Sequence, residues 1–152
     1  MPPVLSGNFA LGGDGGTDWS ARNNNGGNGG TGEGGGLYVA GGTVILSSAT
    51  AQNNATLGGN PGLGGATYGL GFGGGIYAAG GTVTLCGDTV KSNSVDGYGG
   101  GGIYIAGATV IIDLAKVDAL DPTLVTNNTD SSGTNGSTAN IDNQGTLVDQ
   151  NC

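Results

Sequence analysis

Three stretches of the chain share one pattern of apolar and polar positions: GGGLYVAGGTVIL at residues 34–46, GGGIYAAGGTVTL at 73–85 and GGGIYIAGATVII at 100–112. In each, an apolar–polar alternation of period two is interrupted by a Gly-Gly or Gly-Ala pair and then resumes. The alternating residues are β-branched, aromatic or aliphatic, so the pattern predicts two short β-strands joined by a glycine turn. If Leu37, Ile76 and Ile103 point inward, so do Val39, Ala78 and Ile105. On the second strand the inward set is Val44 and Leu46, Val83 and Leu85, and Val110 and Ile112. A third strand is predicted in each unit, in SATAQNN ending at Asn54, GDTVKSN ending at Asn93 and TLVTNN ending at Asn128. The recurring asparagine suits a left-handed or turn position, from which its amide can hydrogen-bond along a stack of like residues.

The third glycine of each unit is Gly36, Gly75 or Gly102, which are 39 and then 27 residues apart. A unit near 27 residues with variable insertions is a solenoid signature, because one unit cannot bury its apolar face alone and must stack on its neighbours. Three short strands per turn describe an all-β chain, a parallel β-helix (β-solenoid) of about three to four coils with Gly-rich insertions. We read residues 1–152 as one domain. It comprises an N-terminal part-coil strand (1–11), a Gly-rich loop (12–33), a coil (34–57), a Gly-rich insertion (58–72), coils at 73–99 and 100–130, and a C-terminal part-coil (131–152). Glycine makes up 37 of the 152 residues, several times its usual share. Its backbone entropy cost leaves both disorder and ordered packing open for residues 12–35 and 58–74.

The ends of the pattern carry the sharpest expectation. VLSGNFALGG reads as a third strand, with Leu5 matching Val90 and Asn8 matching Asn93. ANIDNQGTLVDQNC reads as a first and second strand, with Ile141 matching Ile103 and Gly145-Thr146-Leu147 matching Gly81-Thr82-Val83. An open solenoid end exposes apolar columns and strand edges unless it is capped, and no capping element is evident. Two readings follow. Either the N-terminal strand of one subunit completes the C-terminal coil of the next, giving a head-to-tail filament through Val4, Leu5, Asn8, Phe9, Ile141, Leu147 and Cys152, or the chain is a segment of a longer β-helix. The outward phase places Tyr38, Tyr77 and Tyr104 on the first strand, and Thr43, Thr82 and Thr109 beside Ile45, Thr84 and Ile111 on the second. This stripe fits either a lateral contact surface or ordinary ladder packing.

Charge and rare residues narrow the chemistry. Three basic against eleven acidic side chains give a net charge of −8, which disfavours nucleic acid and anionic membrane surfaces as partners. No apolar run is long enough for a membrane span, and MPPVLSGNFA lacks the regions of a signal peptide. Either export information was removed or this is a piece of something larger. Cys86 and Cys152 allow one disulfide, within or between chains, and support no metal or redox motif. The Asn-x-Ser/Thr triplets at Asn54, Asn127 and Asn135 matter only in a eukaryotic secretory setting. Catalysis finds few resources: there is no histidine, Arg22, Lys91 and Lys116 are the whole basic supply, and Asp88 and Asp113 fall in different columns. We therefore expect no enzyme, no cofactor and no metal. Asp14 and Asp18 in GGDGGTDW form a weak calcium candidate, because Thr17 stands where the calcium nonapeptide needs Asp. An ice-binding Thr-x-Thr array is present only at Thr82 and Thr84.

The stretches GGGIY, GGTVTL and TVKSNS resemble the GGGI…GTVTL…TFSGN repeats of bacterial right-handed parallel β-helix proteins. These include the passenger regions of autotransporter-like and polymorphic outer membrane proteins and Gly-rich surface proteins. The resemblance covers roughly residues 34–147. It implies a right-handed coil and a bacterial extracellular or cell-surface location. It also implies a role as a structural protein or an adhesin that binds glycan or protein. The chain departs from that pattern at Ala51, Val90 and Val125, where the third strand commonly has Phe, and it shows no barrel or anchor.

Overall fold

The computed structural model describes residues 1–17, 26–64, 67–97, 99–113, 123–130 and 140–150. Taken along the chain, a leading half-coil holds β1 (Val4–Ser6) and β2 (Phe9–Leu11). The first full coil holds β3 (Gly32–Glu33), β4 (Leu37–Val39), β5 (Thr43–Ser47), β6 (Thr50–Gln52) and β7 (Ala55–Leu57). The second holds β8 (Gly71–Phe72), β9 (Ile76–Ala78), β10 (Thr82–Cys86), β11 (Thr89–Lys91) and β12 (Ser94–Val95). The third holds β13 (Ile103–Ile105), β14 (Thr109–Ile112) and β15 (Leu124–Thr126), and a trailing half-coil holds β16 (Ile141–Asn143) and β17 (Thr146–Asp149).

Every pairing between these strands is parallel and joins one coil to the next. The columns run β4-β9-β13-β16, β5-β10-β14-β17 and β1-β6-β11-β15, with two shorter ones, β2-β7-β12 and β3-β8. This is a parallel β-helix. The predicted matches hold at residue level: Leu5 and Val90 both pair with Ala51, Ile103 pairs with Ile141, and Thr109 pairs with both Thr82 and Thr146.

The first two full coils have five strands each, against the three that the alternation predicts. Gly7, Asn53, Ser92 and Asn127 have φ between 54° and 69°, and this left-handed corner turns the chain out of the third column into the extra β2-β7-β12 column. The left-handed residue is thus the one before the recurring asparagine, not the asparagine itself. Asn and Gly tolerate this region, and Ser92 takes it as well.

The interior is aliphatic. Ile76, Ala78, Val83, Leu85, Ile105 and Ile112 have no exposure at all, and Ile103, Val110 and Val90 have almost none. Stacking like residues in register fills each level with side chains of matched size, as close packing requires. At both ends the packing opens out. Leu5, Leu37, Val44 and Leu46 on one side, and Val125, Ile141 and Leu147 on the other, are only partly buried against the same core.

The glycine-rich segments form a second layer of order. Residues 12–17, 26–31, 58–63 and 67–70 run alongside one another and exchange backbone hydrogen bonds. Gly27 and Gly30 donate to Gly16 and Gly13 (2.8 and 2.7 Å), Gly59 and Gly62 donate to Gly30 and Gly27 (2.9 Å each), and Gly15 donates to Asn60 (2.8 Å). The glycines at which a Cβ would strike a neighbouring backbone recur every third residue, at Gly12/Gly15, Gly26/Gly29 and Gly59/Gly62. That is the period of an extended polyproline-II-type chain, whose crowded side admits only glycine. A Cβ at Gly29 or Gly59 would collide with the carbonyl oxygen of Gly59 or Gly13.

Candidate functional site: the coil ends and the asparagine ladder

The polar feature that runs the length of the coil is built from the recurring asparagines. Asn54, Asn93 and Asn128 are almost wholly buried, each just after a left-handed corner. From its backbone N–H and its Nδ2, each donates to the Oδ1 of the asparagine one coil on. Asn8 donates to Asn54 (3.0 and 2.9 Å), Asn54 to Asn93 (2.9 and 3.0 Å) and Asn93 to Asn128 (2.9 and 3.0 Å). The second Nδ2 hydrogen reaches back to a backbone carbonyl, Leu5 for Asn54, Ala51 for Asn93 and Val90 for Asn128. A buried amide with its hydrogen bonds met stabilises the coil, whereas an orphaned one costs about 1–3 kcal/mol.

One member of the ladder was not read from the sequence. Asn128 donates from N and Nδ2 to Oδ1 of Asn140, at 3.2 and 3.0 Å. Asn140 does not follow a third strand. It immediately precedes β16 and therefore occupies the column of Gly36, Gly75 and Gly102. The signal was present in the match of Ile141 to Ile103, which places Asn140 where the three inner coils have glycine.

The predicted assembly residues lie at the two ends of the coil. Leu5 packs on the core at the β1 end, beside Ala51, while Val4 and Phe9 are each 59% exposed on the outer face of the leading half-coil. Ile141 and Leu147 pack on the core at the opposite end. Each long column is thus bounded by two different strands of one kind: β1 and β15, β4 and β16, β5 and β17. Cys152 lies outside the described residues. Cys86, at the end of β10, is disulfide-bonded in this single chain.

On the outside, Tyr38, Tyr77 and Tyr104 stack face to face with centroids 5.3 and 5.5 Å apart and planes within 5°. Phe72 leans on Tyr77 and Tyr104, closing one flank. The stacked rings add to the strand pairing beneath them, and Tyr38 at the end of the ladder is 48% exposed. Burial raises the Tyr77 phenol above its ordinary value, reinforced by Glu33 and the flanking tyrosines. Burial and then Asp142, next in the column, raise Tyr104. On the neighbouring sheet Ile45 is 69% exposed beside Thr84, with Ile111 following in register.

Two of the carboxylates singled out in the sequence, Asp88 and Asp14, accept hydrogen bonds within the fold. Asp88 accepts from the backbone N–H of Ala49 (2.6 Å) and of Cys86 (2.9 Å), pinning the corner between the second and third columns. Asp113 follows Ile112, which pairs with Leu85, so it sits level with Cys86 and not with Asp88. It is buried, and its Oδ1 has no hydrogen-bond partner among the described residues. Asp14 accepts from Asn60 N and Nδ2 within the glycine bundle, and Asp18 lies outside the described residues. Among the described residues no three His, Cys, Asp or Glu side chains gather as metal ligands, and no helix is long and apolar enough to cross a membrane. No family model matches the chain, and no curated protein or solved structure matches it.

Proposed function

We propose that this chain is a non-enzymatic structural module that stacks end to end with copies of itself into a filament or surface matrix. The observation that carries the reading is the shape of the two ends. The leading half-coil projects β1 and β2 beyond β4 and β5, and the trailing half-coil projects β16 and β17 beyond β15. The steps are of opposite sense and lie on the same columns. In the stack, β1 of the next copy lies beside β15, carrying Leu5 into the column of Ala51, Val90 and Val125, and its β4 and β5 lie beside β16 and β17. Each new pairing repeats one already made inside the coil, and the partly buried Leu5, Leu37, Val44, Leu46, Val125, Ile141 and Leu147 become interior. Such a contact is heterologous and does not close, so it grows a fibre.

The rest of the molecule supports a structural role. Asp88, the ladder asparagines and the stacked tyrosines support the coil, and a disulfide at Cys86 supports an oxidising, extracellular location. The test is negative-stain electron microscopy of the chain beside a variant lacking residues 1–10. Filaments from the first and none from the second are expected. Monodisperse particles from both contradict the proposal and leave a segment whose ends meet other coils or another binding partner.

A further inference from the structure

The asparagine ladder leaves no room for a Cβ in the glycine column beside it, and this gives the trailing end a property that the inner coils lack. A Cβ placed on Gly36 would stand 2.9 Å from Asn54 Nδ2, on Gly75 2.9 Å from Asn93 Nδ2, and on Gly102 2.7 Å from Asn128 Nδ2. A coil that carries its own ladder asparagine therefore needs glycine at this position. In the trailing half-coil the position holds Asn140, and its own amide fills the ladder site, taking both hydrogen bonds from Asn128.

We infer that Asn140 is an intramolecular placeholder that competes with a second copy of the chain for the end of the ladder. The inference rests on the end-to-end reading above, in which the ladder asparagine of the trailing coil is Asn8 of the next copy. Asn8 already has the required geometry, since its N and Nδ2 join the ladder in the same way as those of Asn54 and Asn93. In the free chain Asn140 keeps the buried Asn128 donors satisfied. On docking it swings out and the Oδ1 of the incoming Asn8 accepts the same two bonds. One acceptor replaces another, but the Cβ of Asn140 stays beside the incoming Asn8, so the competing amide and this crowding together raise the concentration at which stacking begins.

Two substitutions at one position separate this from a general loss of stability. Asn140→Gly restores the residue of the inner coils, removing both the competing amide and the Cβ. Asn140→Ala removes the same hydrogen bonds but keeps a Cβ in the path of Asn8. Sedimentation velocity over a concentration series is expected to show Asn140→Gly associating at roughly 3- to 10-fold lower concentration than the unaltered chain, the worth of about one net hydrogen bond. Asn140→Ala, which loses the competing amide but keeps the Cβ, is expected to gain less than Asn140→Gly and more than the unaltered chain. Hydrogen exchange at the Asn128 amide is expected to speed up in both variants as monomers. If the unaltered chain associates and the Ala variant gains nothing over it, the amide does not compete and the placeholder is overturned while the end-to-end reading stands. If no variant associates at any concentration, the end-to-end reading itself fails and takes the competition with it. Faster Asn128 exchange would then confirm the hydrogen bond alone.

Discussion

The middle coil and the two ends of the stack carry like residues in the same columns, yet they stand in different physical situations. In the middle, Ile76, Ala78, Val83 and Leu85 have neighbours above and below and no exposure. At the ends their counterparts Leu37, Val44, Ile141 and Leu147 have a neighbour on one side only and remain partly buried. A solenoid's stability is close to a sum of intrinsic and nearest-neighbour terms, so a terminal coil forgoes one interface of the two that each inner coil enjoys. Apolar burial is the largest favourable contribution to that interface, and the ends are where it is still unrealised.

The largest contrast is expected in the core. Ile105→Ala, at a position with no exposure, should lower unfolding stability by about 2–5 kcal/mol in urea, whereas Leu147→Ala should cost about 1 kcal/mol in the monomer. Equal losses would mean that the ends are already covered. The ladder offers the next contrast. Asn93→Ala removes the acceptor for Asn54 N and Nδ2 and the donors to Asn128 and Ala51 within a buried site, and should cost about 2–3 kcal/mol. Asn8→Ala, at the open end, should cost less than about 1 kcal/mol by the same measurement. A smaller difference is expected between Gly75→Ala, whose Cβ presses on Asn93 and Gly102, and Gly41→Ala, which meets nothing within 4 Å. Their thermal midpoints should correspond to about 1–3 kcal/mol and less than about 0.5 kcal/mol.

The outer face gives the smallest effect. Tyr77 and Tyr104 have folded-state phenol values above 10.0, so the folded chain holds their protons longer than the unfolded chain does. Their contribution is fully present below pH ~10 and is lost as pH rises from there through the raised values. Absorbance titration should show these two phenols ionising later than free tyrosine, and Phe72→Ala should bring Tyr104 back toward the ordinary value by opening its flank.

How far these regions were legible in the sequence follows the same division. The columns were readable because the alternation of Ile76-Tyr77-Ala78 or Thr82-Val83-Thr84-Leu85 is set by the pleat, and a one-residue slip would turn every apolar side chain outward. The matches of Leu5 to Val90 and of Ile141 to Ile103 were readable for that reason. The short extra column was not, because β7 and β12 carry only Ala55, Thr56 and Leu57 or Ser94 and Val95, too few for a period. The left-handed corner was misplaced by one residue because Asn53-Asn54 and Asn127-Asn128 offer two candidates each, while Gly7-Asn8 and Ser92-Asn93 separate the corner from the ladder. Glycine order at 12–17, 26–31 and 58–63 was left open, since its signal is a spacing of three between residues without side chains. Asn140 escaped because the match of Ile141 to Ile103 puts it where the inner coils have glycine, a place that suggests a turn and not a ladder amide.

The claim that these half-coils are two faces of one contact is tested most directly by disabling one end at a time. Leu5→Asp places a charge at the leading end and Leu147→Asp places one at the trailing end, leaving the opposite end of each variant intact. Sedimentation velocity should find each variant alone monomeric and their equimolar mixture a dimer that grows no further. The trailing end of the Leu5→Asp chain meets the leading end of the Leu147→Asp chain, and both outer ends are blocked. A mixture that stays monomeric while the unaltered chain associates, or either variant polymerising alone, would contradict end-to-end stacking through these columns.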